Sequence, residues 1–365
     1  MFGGKIMIKE MLNKKVNIKR ELIDTHKCRF MGMVNTYDIT LVEKDFKYTK
    51  SILNKPYGGS SILPIDSEGN VFLEIQYRFP IREPILELPA GRCDDNETFL
   101  DCAKRELREE TGCESEEIEK MPVIFAQPEF TDEQLGCFIA KGCKKIGEQK
   151  LDSDESVTVV KLPFELAVEL VKRNIITDER TIIAIGEARC ILDYKGQLNV
   201  QNIDLEAENM AKKIKEEGML LEEKDIDIDY TEVCEFGVVK DHIVKVPGDK
   251  NSRRECFYLK SQDLVLPISK SGKIGVNVRY MPAVNSNLVQ LPTKIEFNKD
   301  TVFTEFGEMV TAVGYANDRQ YMFLAENLDE TDDFIWLTRE ETLGYIKDGT
   351  IVDGRVLGII LKYFI

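Results

Sequence analysis

Among its 365 residues this chain has two histidines, one tryptophan and no CxxC pair. His26 and His242 lie far apart and far from any motif. That argues against a Ser–His or Cys–His catalytic pair, and both read as structural or surface residues. The nine cysteines are odd in number and dispersed, which argues against a disulfide framework and a structural zinc site and for reduced thiols. No run approaches the roughly 18 apolar residues of a membrane span. The opening MFGGKIMIKEMLNKK has no apolar core of a secretion signal, so the expected location is the cytoplasm with no membrane partner. Positive charge is also in deficit. A net charge of −16 is the wrong sign for a general nucleic-acid binder, though a phosphate-bearing small substrate remains open where metal cations screen the site.

What is present is ordinary for folded protein: 43% hydrophobic and 31% charged residues, long enough for two or three domains. The basic run KKVNIKR, within an N-terminal extension over 1–24, reads as a solvated helix or arm. TYDITLVEK, SSILPI and VFLEIQYRF read as strands, with a hairpin turn at DSEGN. ILELPAG follows as a short strand. A helix comes next, with its start marked by the Asp94–Asn96 cluster and its end by Gly112. MPVIFAQPEF, LGCFIAKG and SVTVVKL then read as strands, and PFELAVELVKR and TDERTIIAIGEARCIL as helices. Residues 197–228 are dense in both charges and read as a charged helical linker between a first domain over 25–196 and a second over 229–365.

The second region repeats the first. Pro64, Gly69, Tyr77 and Pro89 match Pro267, Gly272, Tyr280 and Pro292 at one offset of 203 residues. Near the end, Asp178 and Arg180 match Asp353 and Arg355 at an offset of 175. The second copy is therefore shorter by 28 residues, 203 less 175.

The chemistry concentrates in GRCDDNETFLDCAKRELREETGC, from Gly91 to Cys113. At about 100° per residue, Leu100, Ala103 and Leu107 form the core stripe of that helix, with Phe99 at its margin. Glu97, Asp101, Lys104 and Arg108 point to solvent. Glu106 and Glu110 sit beside the apolar stripe, with Glu109 just beyond, where like charges repel. Hard divalent cations offset such crowding, because magnesium takes oxygen ligands and bridges carboxylates to phosphates. Arg105, one turn before Glu109, can orient it.

Gly91, Glu97, Arg105-Glu106-Leu107, Glu109-Glu110 and Gly112, at these spacings, resemble the Nudix hydrolase box. Seven of these eight residues alone, each at about one in fifteen, would coincide at a given start on the order of once in 10⁸. Cys113 departs from the usual aliphatic residue. EIQYRFP, ILELPAGRCD and QPEFTDE, with Pro128 sixteen residues beyond Gly112, are similar to the ADP-ribose pyrophosphatase branch; Glu129 stands where a glycine is common. The resemblance implies an α+β Nudix fold, a mixed sheet between helices, and the repeat implies that it is present twice.

By that resemblance Glu106 and Glu110 would hold magnesium, or manganese, with Glu109 assisting and the backbone carbonyl of Ala90 as a further ligand. Gly91, Glu97, Arg105, Gly112 and Pro128 would shape the motif. In LDSDES, Glu155 is the candidate for activating water, with Asp154 and Glu133 as alternatives. Arg78, Arg82 and Glu87 are candidate substrate contacts. The implied reaction is metal-dependent hydrolysis of a nucleoside diphosphate derivative, with ADP-ribose giving AMP and ribose 5-phosphate. Other nucleotide sugars or dinucleotides are the alternative, and a non-catalytic nucleotide sensor is a different class. In the second copy Gln290, Thr293 and Lys294 replace Glu87, Ala90 and Gly91, and no RExxEE follows. That copy reads as a degenerate Nudix-like domain standing in for a partner subunit, an intrachain pseudo-dimer, with a homodimer left open.

Overall fold

GSSILPID is buried along seven of its eight residues, as a strand covered on both faces must be. In the computed structural model, which describes residues 3–28, 32–42, 46–55, 57–152, 155–196, 202–234, 237–248, 250–259 and 262–365, it is the central strand Gly59–Asp66. It runs parallel to Gln134–Lys145 and antiparallel to Asn70–Arg78, which in turn pairs with Val157–Pro163 and Glu83–Glu87. Successive residues of a strand face opposite ways. Accordingly Ile62 packs with Ala103 and Leu107 of helix Phe99–Thr111, while Leu63 joins Ile182 and Ile183 of helix Glu179–Cys190. A mixed sheet between helices is the layering expected. MPVIFAQPEF contributes only the two-residue strand Ile124–Phe125, because Gln127 to Thr131 turn back on themselves through Phe130 N–H to Gln127 O and Thr131 N–H to Gln127 O.

The second half repeats this pairing. Gln262–Ser269 lies parallel to Asp318–Leu328 and antiparallel to Ile274–Met281, which pairs with Ser286–Gln290 and Ile335–Leu337. Helices Arg339–Lys347 and Gly354–Phe364 follow. Residues 291–301 carry no helix, so nothing there corresponds to Phe99–Thr111.

Each half begins with a helix and a three-stranded antiparallel sheet, and here the boundaries read from sequence need correcting. The segment expected as an N-terminal extension is helix Gly3–Asn13, which docks on the second half: Asn287 Nδ2 donates to the carbonyls of Met11 at 3.3 Å and Lys14 at 2.7 Å. KKVNIKR is neither helix nor arm, since Ile18–Cys28 is a strand paired with Gly32–Leu41. The expected linker 197–228 likewise splits into helix Ile203–Leu221 and the start of strand Lys224–Cys234. That helix docks on the first half, with Ala207 and Ile214 in the main core and Gly218 against Pro84. Each opening helix thus packs on the opposite half. Among the described residues no helix is long and apolar enough to cross a membrane.

The two halves share one hydrophobic core, in which Ile182, Ile183 and Ile185 meet Leu357, Ile359 and Ile360. The contacts are reciprocal. Asp178 bridges Val310 as Asp353 bridges Phe125, and Asp353 is the counterpart of Asp178 in the repeat. At Gly186 a Cβ would fall 2.6 Å from Leu361 Cβ, and Leu361 is the counterpart of Gly186 at the offset of 175. A residue meeting its own counterpart marks a local two-fold axis.

Candidate active site

Helix Phe99–Thr111 is capped by Thr98, whose Oγ1 accepts from Asp101 N–H at 3.1 Å, and not by the Asp94–Asn96 cluster. Threonine presents its oxygen to the first turn, whereas Asn96 takes a positive φ of 67° in the preceding loop. Gly112 ends the helix in the left-handed region, at φ 68°, and donates to Arg108 O at 2.9 Å. The buried face is Cys102, Ala103, Glu106, Leu107, Glu110 and Thr111. Leu100, expected in the core, is exposed. Glu97, expected in solvent, lies before the helix and is held by Arg105.

Arg105 is the hub of the motif. Its Nε and Nη2 each donate to Glu97 at 3.0 Å, its Nη1 donates to Glu106 at 2.7 Å and to Glu109 at 3.1 Å, and its Nη2 also reaches Arg92 O at 3.0 Å. Its hydrogen bonds to Glu97 hold that carboxyl below its usual range. Gly91 lies over the helix so closely that a Cβ would overlap the Glu106 carboxylate. Only glycine allows that approach.

Glu106 and Glu110 are 6% and 3% exposed. Burial pushes Glu106 up to about 7, against the opposing pull of Arg105. Burial raises Glu110 well above the carboxylate range, helped by the charges of Glu74, Glu106 and Glu155. Glu110 Oε2 accepts from Ala90 N–H at 2.8 Å. Glu74 completes the group: it is buried, its Oε1 has no hydrogen-bond partner among the described residues, and burial and then Glu87 push its carboxyl far upward. Sequence reading passed over Glu74. The available signal was a glutamate in the middle of NVFLEIQYR, on a strand otherwise apolar where its neighbours are buried.

The candidate substrate contacts fall into two places. Arg78 Nε and Arg180 Nη2 donate to opposite oxygens of the fully buried Glu87, at 2.7 and 2.5 Å, and Arg180 also pairs with Asp178 at 3.2 Å. Asp178 caps helix Glu179–Cys190 through Thr181 N–H. Arg82, with a positive φ of 55°, instead pairs with Asp225 of the second half at 3.1 Å and stacks on Phe79. Arg180 and Asp178 appeared in the sequence only as matched positions of the repeat.

The three loop carboxylates also separate. Glu155 acts electrostatically on Glu74, Glu106 and Glu110, and its Oε2 accepts from Asp152 N–H at 3.2 Å. Asp154 lies outside the described residues. Glu133 accepts a hydrogen bond from Tyr315 of the second half. Pro128 is buried at the turn before it, and the adjacent Glu129 reaches Arg355 at 3.3 Å.

Among the described residues no three His, Cys, Asp or Glu side chains already converge as a metal cage. Arg105 occupies oxygens of Glu106 and Glu109, and Glu110 is turned to Ala90. The donor set nevertheless suits a hard cation, because buried carboxylates lacking sufficient positive charge are all oxygen ligands.

The NUDIX domain model matches residues 58–183. A methanol dehydrogenase activator of Bacillus methanolicus is 35% identical over 137 residues, 37% of this chain and 74% of that protein. An ADP-ribose pyrophosphatase of Bacillus subtilis is 33% identical over 140 residues, 38% of this chain and 76% of that protein. A GDP-mannose pyrophosphatase of Cronobacter sakazakii is 27% identical over 169 residues, 43% of this chain and 88% of that one. With the glycine, arginine and glutamates of the motif gathered at one end of a mixed sheet, this chain belongs to the Nudix hydrolase family.

Proposed function

We propose that the first half hydrolyses the diphosphate bond of a nucleoside diphosphate derivative with magnesium, and that ADP-ribose, giving AMP and ribose 5-phosphate, is the substrate. The observation that carries this reading is the group of buried carboxylates, Glu74, Glu106 and Glu110, whose mutual repulsion in a dry setting calls for divalent cations. Glu106 and Glu110 would hold the metal, with Glu109 assisting and the Ala90 carbonyl beside them; manganese has the same ligand preference for oxygen. The metal supplies neutralisation of the diphosphate oxygens and a lowered pKa of water.

The chain's own residues have distinct tasks. Arg105 braces Glu97, Glu106 and Glu109 so that the helix presents its carboxylates in one direction. Glu155 takes the proton of the attacking water as its oxygen bonds to phosphorus and the bridging P–O bond breaks. Arg78 and Arg180, clamped on Glu87, set the floor of the pocket, and Gly91 keeps the approach to Glu106 open.

The second half, in this reading, is a tandem Nudix-like domain that has lost its metal helix and serves as an intrachain partner. The repeated strand pairing, the reciprocal bridges and the exchange of opening helices support it. A GDP-sugar is the second substrate reading, favoured by the likeness to a GDP-mannose pyrophosphatase.

A magnesium-dependent hydrolysis screen over ADP-ribose, GDP-mannose and dinucleotides, with Glu110→Gln as control, tests the proposal. Turnover of ADP-ribose by the wild type, lost in the variant, is the expected result. Equal inactivity of both proteins on every compound, with nucleotide binding retained, would overturn it in favour of a sensor.

A further inference from the structure

Residues 290–297, where no helix stands, border a cavity of about 520 Å³ that Glu129 of the first half also lines, within the size range of small-molecule sites. Four of its lining residues have counterparts in the first half at the offset of 203, with changed charge. Asp263, Arg279, Gln290 and Lys294 stand where Ser60, Gln76, Glu87 and Gly91 stand in the first half. At these four positions the formal charge goes from −1, from Glu87 alone, to +1, from Arg279 and Lys294 against Asp263. The glutamates of the missing helix have no counterpart at all. A site that must import cations has become one that carries its own.

The positive groups are not equally committed. Arg355 is buried and already paired, with Asp353 at 2.8 Å and Glu129 at 3.3 Å. Arg279 is held only at long range: its Nη2 donates to Gln290 Oε1 at 3.5 Å and lies 3.9 Å from Glu129, and its Nε is buried with no hydrogen-bond partner among the described residues. Lys294 is exposed at the rim and makes no ion pair among the described residues. A guanidinium with a spare buried donor and an exposed ammonium lining one cavity match a phosphate's several acceptor oxygens.

We propose that this cavity is a metal-free binding site for a small phosphate-bearing anion, gripped by Arg279 and Lys294. Thr293 adds a hydroxyl to the lining, Gln290 is held by its Nε2 donating to Asp353 at 2.8 Å, and Glu129 closes the cavity from the first half. The site is independent of turnover in the first half, where the acidic group repels anions once metal is removed.

Isothermal titration of the full chain in EDTA with pyrophosphate, orthophosphate and AMP tests it. Saturable binding of one equivalent of at least one probe is expected, weakened about tenfold or more by Arg279→Gln and by Lys294→Glu and unchanged in Glu110→Gln. Lys294→Glu alters an exposed rim residue, so it keeps the test informative if Arg279→Gln fails to fold, and it should leave hydrolysis at the first site unchanged. No saturable binding of any probe up to about 10 mM, or equal binding by wild type and Lys294→Glu, would overturn the proposal. Neither result bears on the hydrolytic reading.

Discussion

Replacing Glu106 by glutamine should stabilise the metal-free protein at pH 8 and abolish its response to magnesium. In the folded chain this carboxyl is 6% exposed and titrates at about 7, against an ordinary 4.5. The folded state therefore binds more protons than the unfolded state between those values, and stability falls as pH rises from about 4.5 to 7. A shift of that size corresponds to about 3 kcal/mol at full ionisation, at roughly 1.4 kcal/mol for each pH unit. Glutamine carries no charge to desolvate but loses the attraction of Arg105, so a net gain of about 1–3 kcal/mol is expected. Thermal unfolding in EDTA at pH 5 and pH 8, with and without excess magnesium, measures it. Wild type should lose stability between the two pH values and recover it with magnesium; the variant, which keeps the raised carboxyls of Glu74 and Glu110, should lose about 1–3 kcal/mol less and recover little with magnesium. A Glu106→Gln protein less stable than wild type at pH 8 in EDTA, or a pH response identical in the two, would refute the reasoning.

Three further outcomes follow from named contacts. Gly91→Ala drives a Cβ into the Glu106 carboxylate, so hydrolysis should fall by about tenfold or more while circular dichroism shows an intact fold. Gly112→Ala places a side chain at φ 68° and against Gly147 O, costing about 1 kcal/mol or more, read from the denaturation midpoint, with activity reduced because Lys150 N–H to Glu109 O anchors the same turn. A fragment ending at residue 222 exposes the face of helix Glu179–Cys190 that meets Gly354–Phe364; light scattering should find it dimeric or aggregated, and a stable monomer with full activity would count against the intrachain pair.

The motif helix was legible because its chemistry is local. Spacings of three and four residues fix which side chains share a face, so Glu106 and Glu110 beside the apolar stripe could be read directly, and the repeat could be read from constant offsets across a turn. Glu97 was misassigned because a single threonine decides where the first turn begins: moving the cap from Asp94–Asn96 to Thr98 places Glu97 before the helix, within reach of Arg105. Glu74 was invisible because a strand residue's role depends on which strand lies beside it, and its neighbour Glu87 arrives only through pairing with Glu83–Glu87.

The sequence by itself determined the family, the acidic helix and the absence of a second RExxEE run, since all three are encoded in short runs. Tertiary structure alone decided that each opening helix packs on the opposite half, that Glu129 turns to Arg355, and that residues within 291–297 line a cavity with Arg279, whose Nε has no hydrogen-bond partner among the described residues. These depend on surfaces more than a hundred residues apart in the chain, and close packing around a local two-fold axis, not any local pattern, brings them together.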